Sequence, residues 1–208
     1  MRMRNKPWAS DFLANHPLAV TNPIDRKGAW KGHHQKVILE IGSGKGSYIF
    51  DLAKSHPDFL YIALEKDRNV SATALRAHDG QSLPNLIWIN NGAETLDLWF
   101  NDGELDEIHL NFSDPWPKKH HEKRRLTSKT FMPVFIRLLN KDGVIKFKTD
   151  NQKLFEYTIL QLQFYPLEMT FFSVNYLHSP DIDDAYTEYE MKFNALNQPI
   201  YRAVWRKK

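Results

Sequence analysis

Five short apolar runs, each followed by a helix-forming stretch, constrain the fold of this 208-residue chain more than any other feature. The runs are residues 37–41, 59–64, 86–89, 108–112 and 144–148, and the stretches are residues 46–55, 67–77, 94–100, 127–139 and 151–164. Short, mainly apolar runs of this length are typical of strands that are buried on both faces. Their alternation with helices predicts a parallel, doubly wound sheet that binds ligands at the carboxyl ends of its strands.

The chain changes character after residue 164. Residues 166–176 and 199–206 have the pattern of strands with no strong helix between them, so they are expected to pair antiparallel. Before that point, Thr127 or Ser128 can cap a helix that ends at residues 140–143 (NKDG). The sequence therefore predicts an α/β fold with a doubly wound, mostly parallel, Rossmann-like sheet of seven strands and an antiparallel C-terminal strand pair. We expect residues 1–36 to form an N-terminal extension, free to be mobile, and residues 37–208 to form a single domain.

Composition excludes several functional classes. The chain has no cysteine, which excludes disulfides, thiolate zinc sites and a cysteine nucleophile. No run approaches the ~20 apolar residues of a membrane span, so we expect a cytoplasmic protein that does not enter a membrane. The histidine pairs at 33–34 and 120–121 lack a third donor at ligand spacing, so no metal is expected.

Residues 40–46 (EIGSGKG) connect the first predicted strand to its helix. Leu39 occupies the position where a phosphate-binding Walker loop requires glycine, and the third glycine comes one residue too early for a dinucleotide fingerprint. An acid two positions before Gly-x-Gly-x-Gly instead resembles the donor loop of S-adenosylmethionine-dependent methyltransferases. A carboxylate at Glu40 suits a cationic donor, and Glu65, after the second strand, can accept from ribose hydroxyls. The alternative is a structural glycine turn with two solvated carboxylates. The predicted donor-loop glycines are Gly42, Gly44 and Gly46.

Two further strand ends carry candidate residues. Asn91 and Gly92 follow the third strand, where they should face the adenine of a donor, although a simple turn is equally consistent with this segment. Residues 111–117 (NFSDPWP) follow the fourth strand in a loop stiffened by two prolines. Asp114 is expected to point toward the donor methyl group, and Trp116 offers a flat surface for a base.

These motifs identify a family. The chain resembles the bacterial tRNA (guanine-N7-)-methyltransferases from about residue 37 to residue 206, and its most specific segment is DPWPKK at 114–119 followed by KRRL at 123–126. Further shared segments are FKTD at 147–150, TEYE at 187–190 and PIY at 199–201. The resemblance implies methylation of a guanine in the variable loop of tRNA, with S-adenosylmethionine as donor.

The resemblance also implies roles for individual residues. Glu40, Glu65 and Asp114 would contact the donor, and Asp114 would be the catalytic residue. The implied substrate contacts are Lys118, Asp150, Thr187, Glu188, Tyr189 and Glu190. Gly92 departs from the family pattern, in which many members carry Asp, so the adenine contact must come from the backbone, Asn91 or Glu94.

Guanine N7 has an unprotonated lone pair, so methyl transfer requires in-line positioning rather than a base. Asp114, with Asp150 or Glu190, is expected to accept from the guanine N1–H and N2–H edge and to stabilise the positive charge that develops on the ring. A basic run beside this loop is expected to contact RNA, although a solvated helix face is the alternative. Its members after Lys118 are Lys119, His120, His121, Lys123, Arg124 and Arg125.

Two other functions remain open at this point. A methyltransferase of a small molecule or protein would use the same donor half, but it would have no use for the basic run. A non-catalytic RNA-binding module would not need Glu40, Glu65 and Asp114 together. The glycine spacing disfavours a nicotinamide oxidoreductase. The expected partner is tRNA, and the protein is expected to be a monomer or a homodimer.

Overall fold

A computed structural model of the chain describes residues 5–176 and 184–208. Residues 1–4, which belong to the predicted N-terminal extension, and residues 177–183 lie outside the described part.

A seven-stranded sheet forms the centre of the molecule, with strand order β3-β2-β1-β4-β5-β7-β6. The strands are β1 Lys36–Ile41, β2 Phe59–Leu64, β3 Leu86–Ile89, β4 Leu105–Asn111, β5 Leu139–Thr149, β6 Leu167–Ser173 and β7 Tyr201–Lys207. Neighbouring strands from β3 through β5 are parallel, whereas β7 pairs antiparallel with both β5 and β6. The predicted fold class, including the antiparallel C-terminal pair, is therefore confirmed.

Helices cover both faces of this sheet, because each parallel connection crosses from one strand end to the other. They are α1 Ala9–Asn15, α2 Ser47–Ser55, α3 Arg68–Ala77, α4 Leu96–Trp99, α5 Met132–Leu138, α6 Gln152–Leu162 and α7 Glu188–Ala195, with 3-10 turns at Pro23–Arg26, Ala93–Thr95 and Lys119–Arg124. Helices α1, α2 and α3 pack on one face with Ile38, and α4, α5 and α6 pack on the other with Leu39. Residues of β1 with opposite side-chain directions are thus both buried, which explains its continuous apolar run.

The structure corrects three local predictions. Helix α7 lies between β6 and β7, where no strong helix was expected; a capping box between Thr187 and Glu190 starts it. Residues 140–143 do not form a separate turn after a helix but belong to β5, which begins directly after α5. The predicted cap of α5 is also wrong, since the helix begins only at Met132. Thr127 instead bonds the Thr158 hydroxyl within the core.

The segment before β1 packs against the sheet. Ala9 and Leu13 of α1 are buried beside α2 and α3, and the main chain of Val20 donates to the Trp88 carbonyl of β3. Trp30 is buried on the opposite face, where its Nε1 donates to the Trp99 carbonyl at 2.7 Å. The division of the chain into an extension and a domain remains a prediction.

Candidate active site

A cleft of about 790 Å³ runs across the carboxyl ends of β1 to β4. We call it the strand-end cleft. It lies where parallel sheets bind ligands, because the strand order reverses direction between β1 and β4. Among the residues predicted to form a site, those lining the cleft are Gly42, Glu65, Asn91, Gly92, Glu94, Asp114, Trp116, Lys123 and Arg124. One cavity thus brings together candidates from four strand ends and from the basic run.

The glycines between β1 and α2 have different structural roles. All three have positive φ, at 85° for Gly42, 55° for Gly44 and 85° for Gly46, a conformation that glycine adopts without strain. Gly42 lines the cleft, and nothing lies within 4 Å of a Cβ placed on it. A Cβ on Gly46 would lie 3.0–3.1 Å from Phe50 and Trp88, so this glycine allows α2 to pack closely.

Glu65 is fixed at the cleft wall by main-chain donors. Its Oε2 accepts from the Gly44 amide at 3.0 Å, and its Oε1 accepts from the Asp67 amide at 2.8 Å. Burial raises the pKa of Glu65, and these two hydrogen bonds oppose that rise by favouring the carboxylate. The glycine loop and the end of β2 are therefore joined through this side chain.

Glu40 lies beneath the cleft rather than on its wall. It is 2% exposed, and its Oε1 accepts from the Asn111 amide group at 3.0 Å. Its Oε2 is buried and has no hydrogen-bond partner among the described residues. Burial raises the pKa of Glu40 to about 7, although the Asn111 hydrogen bond and the charge of Lys148 act against it. An acid with an unused buried oxygen is suited to a cationic ligand.

The loop that carries Asp114 is held in a strained conformation. Phe112 and Trp116, on either side of it, have φ values of +49° and +40°, a region that costs non-glycine residues of order 1–3 kcal/mol. Arg125 holds the loop, since its guanidinium donates to the carbonyls of Pro115 and Trp116 at 3.1 Å each. The Asp114 side chain is exposed to the cleft. It makes no hydrogen bond or ion pair with residues 5–176 or 184–208.

The basic run forms a 3-10 turn at the rim of the cleft. Lys123 and Arg124 line the cleft, and the Arg124 guanidinium lies 4.8 Å from the Trp116 ring centroid. Lys118, Lys119 and His120 are exposed, and His121 is half-buried with its ring nearly perpendicular to that of Trp116. Arg125 differs from its neighbours because its guanidinium is already bound to the loop and also covers the Tyr157 ring at 4.3 Å.

The predicted substrate residues of the C-terminal region do not line the cleft. Asp150 is exposed directly after β5. Thr187 starts α7, Glu188 pairs with Lys45 at 2.7 Å, and the exposed Tyr189 stacks on Phe112 with ring centroids 5.7 Å apart. Glu190 is fully buried, and its Oε2 accepts from Lys148 Nζ at 3.0 Å. Within this group, Tyr189 therefore provides the ring contact with the loop of the candidate catalytic residue.

A buried ionic network anchors the segment that leads into α7, and the sequence analysis did not identify it. The Asp184 carboxylate lies 2.8 Å from Lys148 Nζ and 2.8 Å from Arg202 Nη1, and it accepts from the Tyr48 hydroxyl at 3.1 Å. Burial disfavours ionisation, but the two cations outweigh it and lower the pKa of Asp184. The signal in the sequence was a lysine at the end of the apolar run 144–148, where a charge requires a partner.

No described helix combines the length and apolar character that a membrane span requires. Across the same residues, no three His, Asp or Glu side chains are grouped as metal ligands would be. At the carboxyl ends of the strands, the cleft instead combines carboxylates, glycine main chain and a loop that carries aromatic side chains. Such a site can bind a cationic, ribose-containing ligand next to a planar acceptor.

Solved structures with the same fold are methyltransferases. The 16S rRNA (adenine(1408)-N(1))-methyltransferase from Catenulisporales acidiphilia gives a TM-score of 0.64 with 12% sequence identity, covering 93% of this chain and 97% of that one. The 16S rRNA methyltransferase KamB gives a TM-score of 0.63 with 14% identity, over 86% of this chain and 91% of that one. At these identities the likeness concerns the fold alone.

Sequence comparisons identify the family as well as the fold. A family model described as "Putative methyltransferase" matches residues 34–203. The tRNA (guanine-N(7)-)-methyltransferase of Bacillus subtilis (strain 168) is 46% identical, over 99% of this chain and 100% of that protein. The enzyme of the same name from Listeria monocytogenes serotype 4a is 45% identical, over 97% of this chain and 96% of its own length. On this identity along nearly the whole length of both relatives, the chain belongs to the tRNA (guanine-N(7)-)-methyltransferase family.

Proposed function

We propose that this protein transfers the methyl group of S-adenosylmethionine to N7 of a guanine in tRNA. The observation that carries the proposal is the strand-end cleft, which brings Asp114 together with the Gly42 loop and Glu65 at one end of the sheet and with Lys123 and Arg124 at its rim. Family membership supports the same conclusion, because the relatives named above carry this activity in their names.

The residues present fit the donor. Its sulfonium and amino groups are cationic, and the buried Glu40 has an oxygen with no partner among the described residues. Its ribose hydroxyls match Glu65, whose carboxylate lies on the cleft wall. Gly42 and Gly44 bring backbone close to the ligand without side chains in the way. When bound, the donor supplies a methyl group on a positively charged sulfur.

The acceptor half requires positioning rather than proton removal. Guanine N7 attacks with its own lone pair, and no proton leaves the ring. Asp114 faces the cleft without a partner among the described residues, so its carboxylate can accept from the guanine N1–H and N2–H groups and stabilise the cation that forms. Asp150 is the second candidate for this role. Glu190 is already bonded to Lys148 in the interior, so we assign it to the anchoring of α7.

The rim supplies the RNA contacts. We assign Lys118, Lys119, His120, His121, Lys123 and Arg124 to phosphate binding, and Arg125 to holding the Asp114 loop. We keep the assignment of Thr187, Glu188 and Tyr189 to contacts with the acceptor nucleotide. Its support is Tyr189, which stacks on Phe112 of the Asp114 loop. A location in the cytoplasm, where tRNA is modified, and a monomeric or homodimeric state belong to the same proposal.

The test uses S-adenosylmethionine with a labelled methyl group, unmodified tRNA and nucleotide-resolved mapping of the label. Wild-type protein is expected to label guanine N7. Asp114→Asn should lower kcat by about 10²- to 10³-fold while the donor Kd, measured by calorimetry, changes less than threefold. Label on added protein or metabolites but not on tRNA would favour the methyltransferase with another acceptor. Wild-type turnover in Asp114→Asn would contradict the catalytic role.

A further inference from the structure

A row of cations lies along α3, outside the strand-end cleft. Its members are Lys6, Arg68 and Arg76, and we call it the α3 cation row. Arg68 is the first residue of α3, and it follows Glu65, which lines the cleft, by three positions. Arg76 lies eight residues further along the same helix, which is about 12 Å at 1.5 Å per residue. The row therefore starts beside the cleft and leads away from it.

Uncharged groups hold two of these side chains in place. Arg68 donates from Nη1 to the Ser10 hydroxyl at 2.7 Å and from Nη2 to the side-chain oxygen of Asn5 at 3.3 Å. Lys6 Nζ donates to the Thr73 hydroxyl at 2.6 Å. Because hydroxyl and amide oxygens carry no net charge, these contacts orient the cations without neutralising them.

Trp8 brings the remaining charges of the row together. Its ring centroid lies 5.4 Å from Lys6 Nζ and 4.8 Å from the Arg76 guanidinium. Across residues 5–176 and 184–208, no cation of the row forms an ion pair with a carboxylate. The acid next to Arg68 in the sequence, Asp67, caps α3 and accepts from two main-chain amides of its first turn. The row is therefore a pre-positioned surface of positive charge.

The α3 cation row and the basic run lie on different sides of the cleft. The row follows β2, the basic run follows β4, and the strand order places β1 between these two strands. A polynucleotide that inserts one base into the cleft continues from that base in both the 5′ and the 3′ direction. The two sets of cations are thus placed to contact phosphates on either side of the inserted base.

We infer that the α3 cation row binds tRNA phosphates outside the acceptor nucleotide, as a second RNA-contact surface in addition to the basic run. The inference rests on the proposed function and adds the course of the RNA across the protein. The row retains unused donors, since an ammonium group has three N–H groups and a guanidinium has five. Side chains that are already held lose less conformational entropy on binding, so their anchoring favours the contact.

The experiment measures the affinity for unmodified tRNA as a function of salt concentration, with no turnover required. Arg68→Gln combined with Arg76→Gln removes two charges of the row. The slope of log affinity against log salt should fall in magnitude by about 1.4–1.8, which is about 0.7–0.9 for each charge. At about 0.1 M salt the affinity should fall at least about tenfold. Arg68→Lys with Arg76→Lys keeps both charges but loses the guanidinium contacts, so it should retain the wild-type slope.

The matched control is Arg137→Gln with Arg206→Gln, since both arginines are exposed and lie near the start of β5. Its slope should equal that of the wild type, and urea denaturation checks that every variant is folded. A wild-type slope in the Arg68 and Arg76 glutamine variant would overturn the inference and leave the proposed function intact, because the row would then only attach the N-terminal segment to α3. An equal loss of slope in the lysine variant would also overturn it. Failure of wild-type protein to bind tRNA would overturn the proposed function and the inference together.

Discussion

Three carboxylates near the carboxyl ends of β1, β2 and β4 lie in three different environments. Glu40 is buried and has a single side-chain donor from Asn111, Glu65 is held by two main-chain amides, and Asp114 is exposed in a strained loop. Burial disfavours the charged form, whereas hydrogen bonds and cations favour it. Glu40, with its pKa raised to about 7, therefore changes its ionisation in the neutral pH range, while Asp114 remains exposed to an incoming ligand.

The raised pKa of Glu40 predicts a specific pH dependence of stability. The folded state binds this proton more tightly than the unfolded state, whose pKa is 4.5, so Glu40 destabilises the fold increasingly as pH rises from 4.5 to about 7. Raising the pKa of Glu40 from 4.5 to about 7 lowers the free energy of unfolding by about 3 kcal/mol above pH 7, at about 1.36 kcal/mol per pKa unit. Glu40→Gln removes the charge, so its unfolding free energy relative to wild type should increase by that order between pH 4.5 and pH 8. Urea denaturation at both values measures it, and a pH-independent difference would contradict a buried acid.

At the scale of elements, the loop after β4 and the following 3-10 turn act as one unit. Arg125 fixes the main chain at Pro115 and Trp116, while Lys123 and Arg124 extend along the cleft rim. Within the basic run, Arg125 therefore has a structural role, whereas Lys123 and Arg124 remain available to bind a ligand. Arg125 is distinguished by the two loop carbonyls within hydrogen-bond distance of its guanidinium. The spacing of charges in the sequence does not predict this difference.

The available charges should determine the salt dependence of tRNA binding. Lys123→Ala combined with Arg124→Ala is expected to lower the slope of log affinity against log salt by about 0.7–0.9 for each charge removed. Donor affinity should stay within about threefold. The matched control is Lys54→Ala with Lys141→Ala, two exposed lysines near the end of α2 and the start of β5 that do not line the cleft. Equal slopes for the two double variants would mean that the turn is merely solvated.

At the scale of the whole molecule, an ionic network attaches the C-terminal segment to the sheet. Lys148 of β5 and Arg202 of β7 meet Asp184, and Lys148 also meets Glu190 of α7. Removing one partner of a buried pair leaves an uncompensated charge in the interior. The position of Tyr189 beside Phe112 thus depends on charges that lie below the cleft.

Two lysines that hold α7 provide a matched comparison. Lys148→Met should lower the free energy of unfolding by about 3–5 kcal/mol, because it removes the buried cation that Asp184 and Glu190 share. Lys45→Met breaks the exposed pair with Glu188 and should cost less than about 1 kcal/mol. Chemical denaturation of both variants tests the difference. Similar losses for the two would show that burial of the network contributes nothing of its own.

Local patterns were sufficient for the sheet and for much of the cleft. Buried strands had to be apolar, glycines had to follow β1, and parallel strands had to bring their carboxyl ends to one edge. Glu65 and Asp114 could therefore be placed from sequence, as could the family, from the segment at 114–119. Helix α7 was missed because its sequence carries no strong apolar stripe, and its capping box became meaningful only once Glu190 was buried.

Only the tertiary structure decided which polar side chains anchor the fold and which remain available to a ligand. The sequence determined that Glu40, Glu190 and Arg125 are charged groups near a site, but burial and partners depend on chains brought together from distant positions. Lys148 and Asp184 are 36 residues apart, and they meet because β5 and the segment before α7 share one face of the sheet. Strand periodicity is a local property of the chain, whereas a buried charge takes its role from neighbours that only folding supplies.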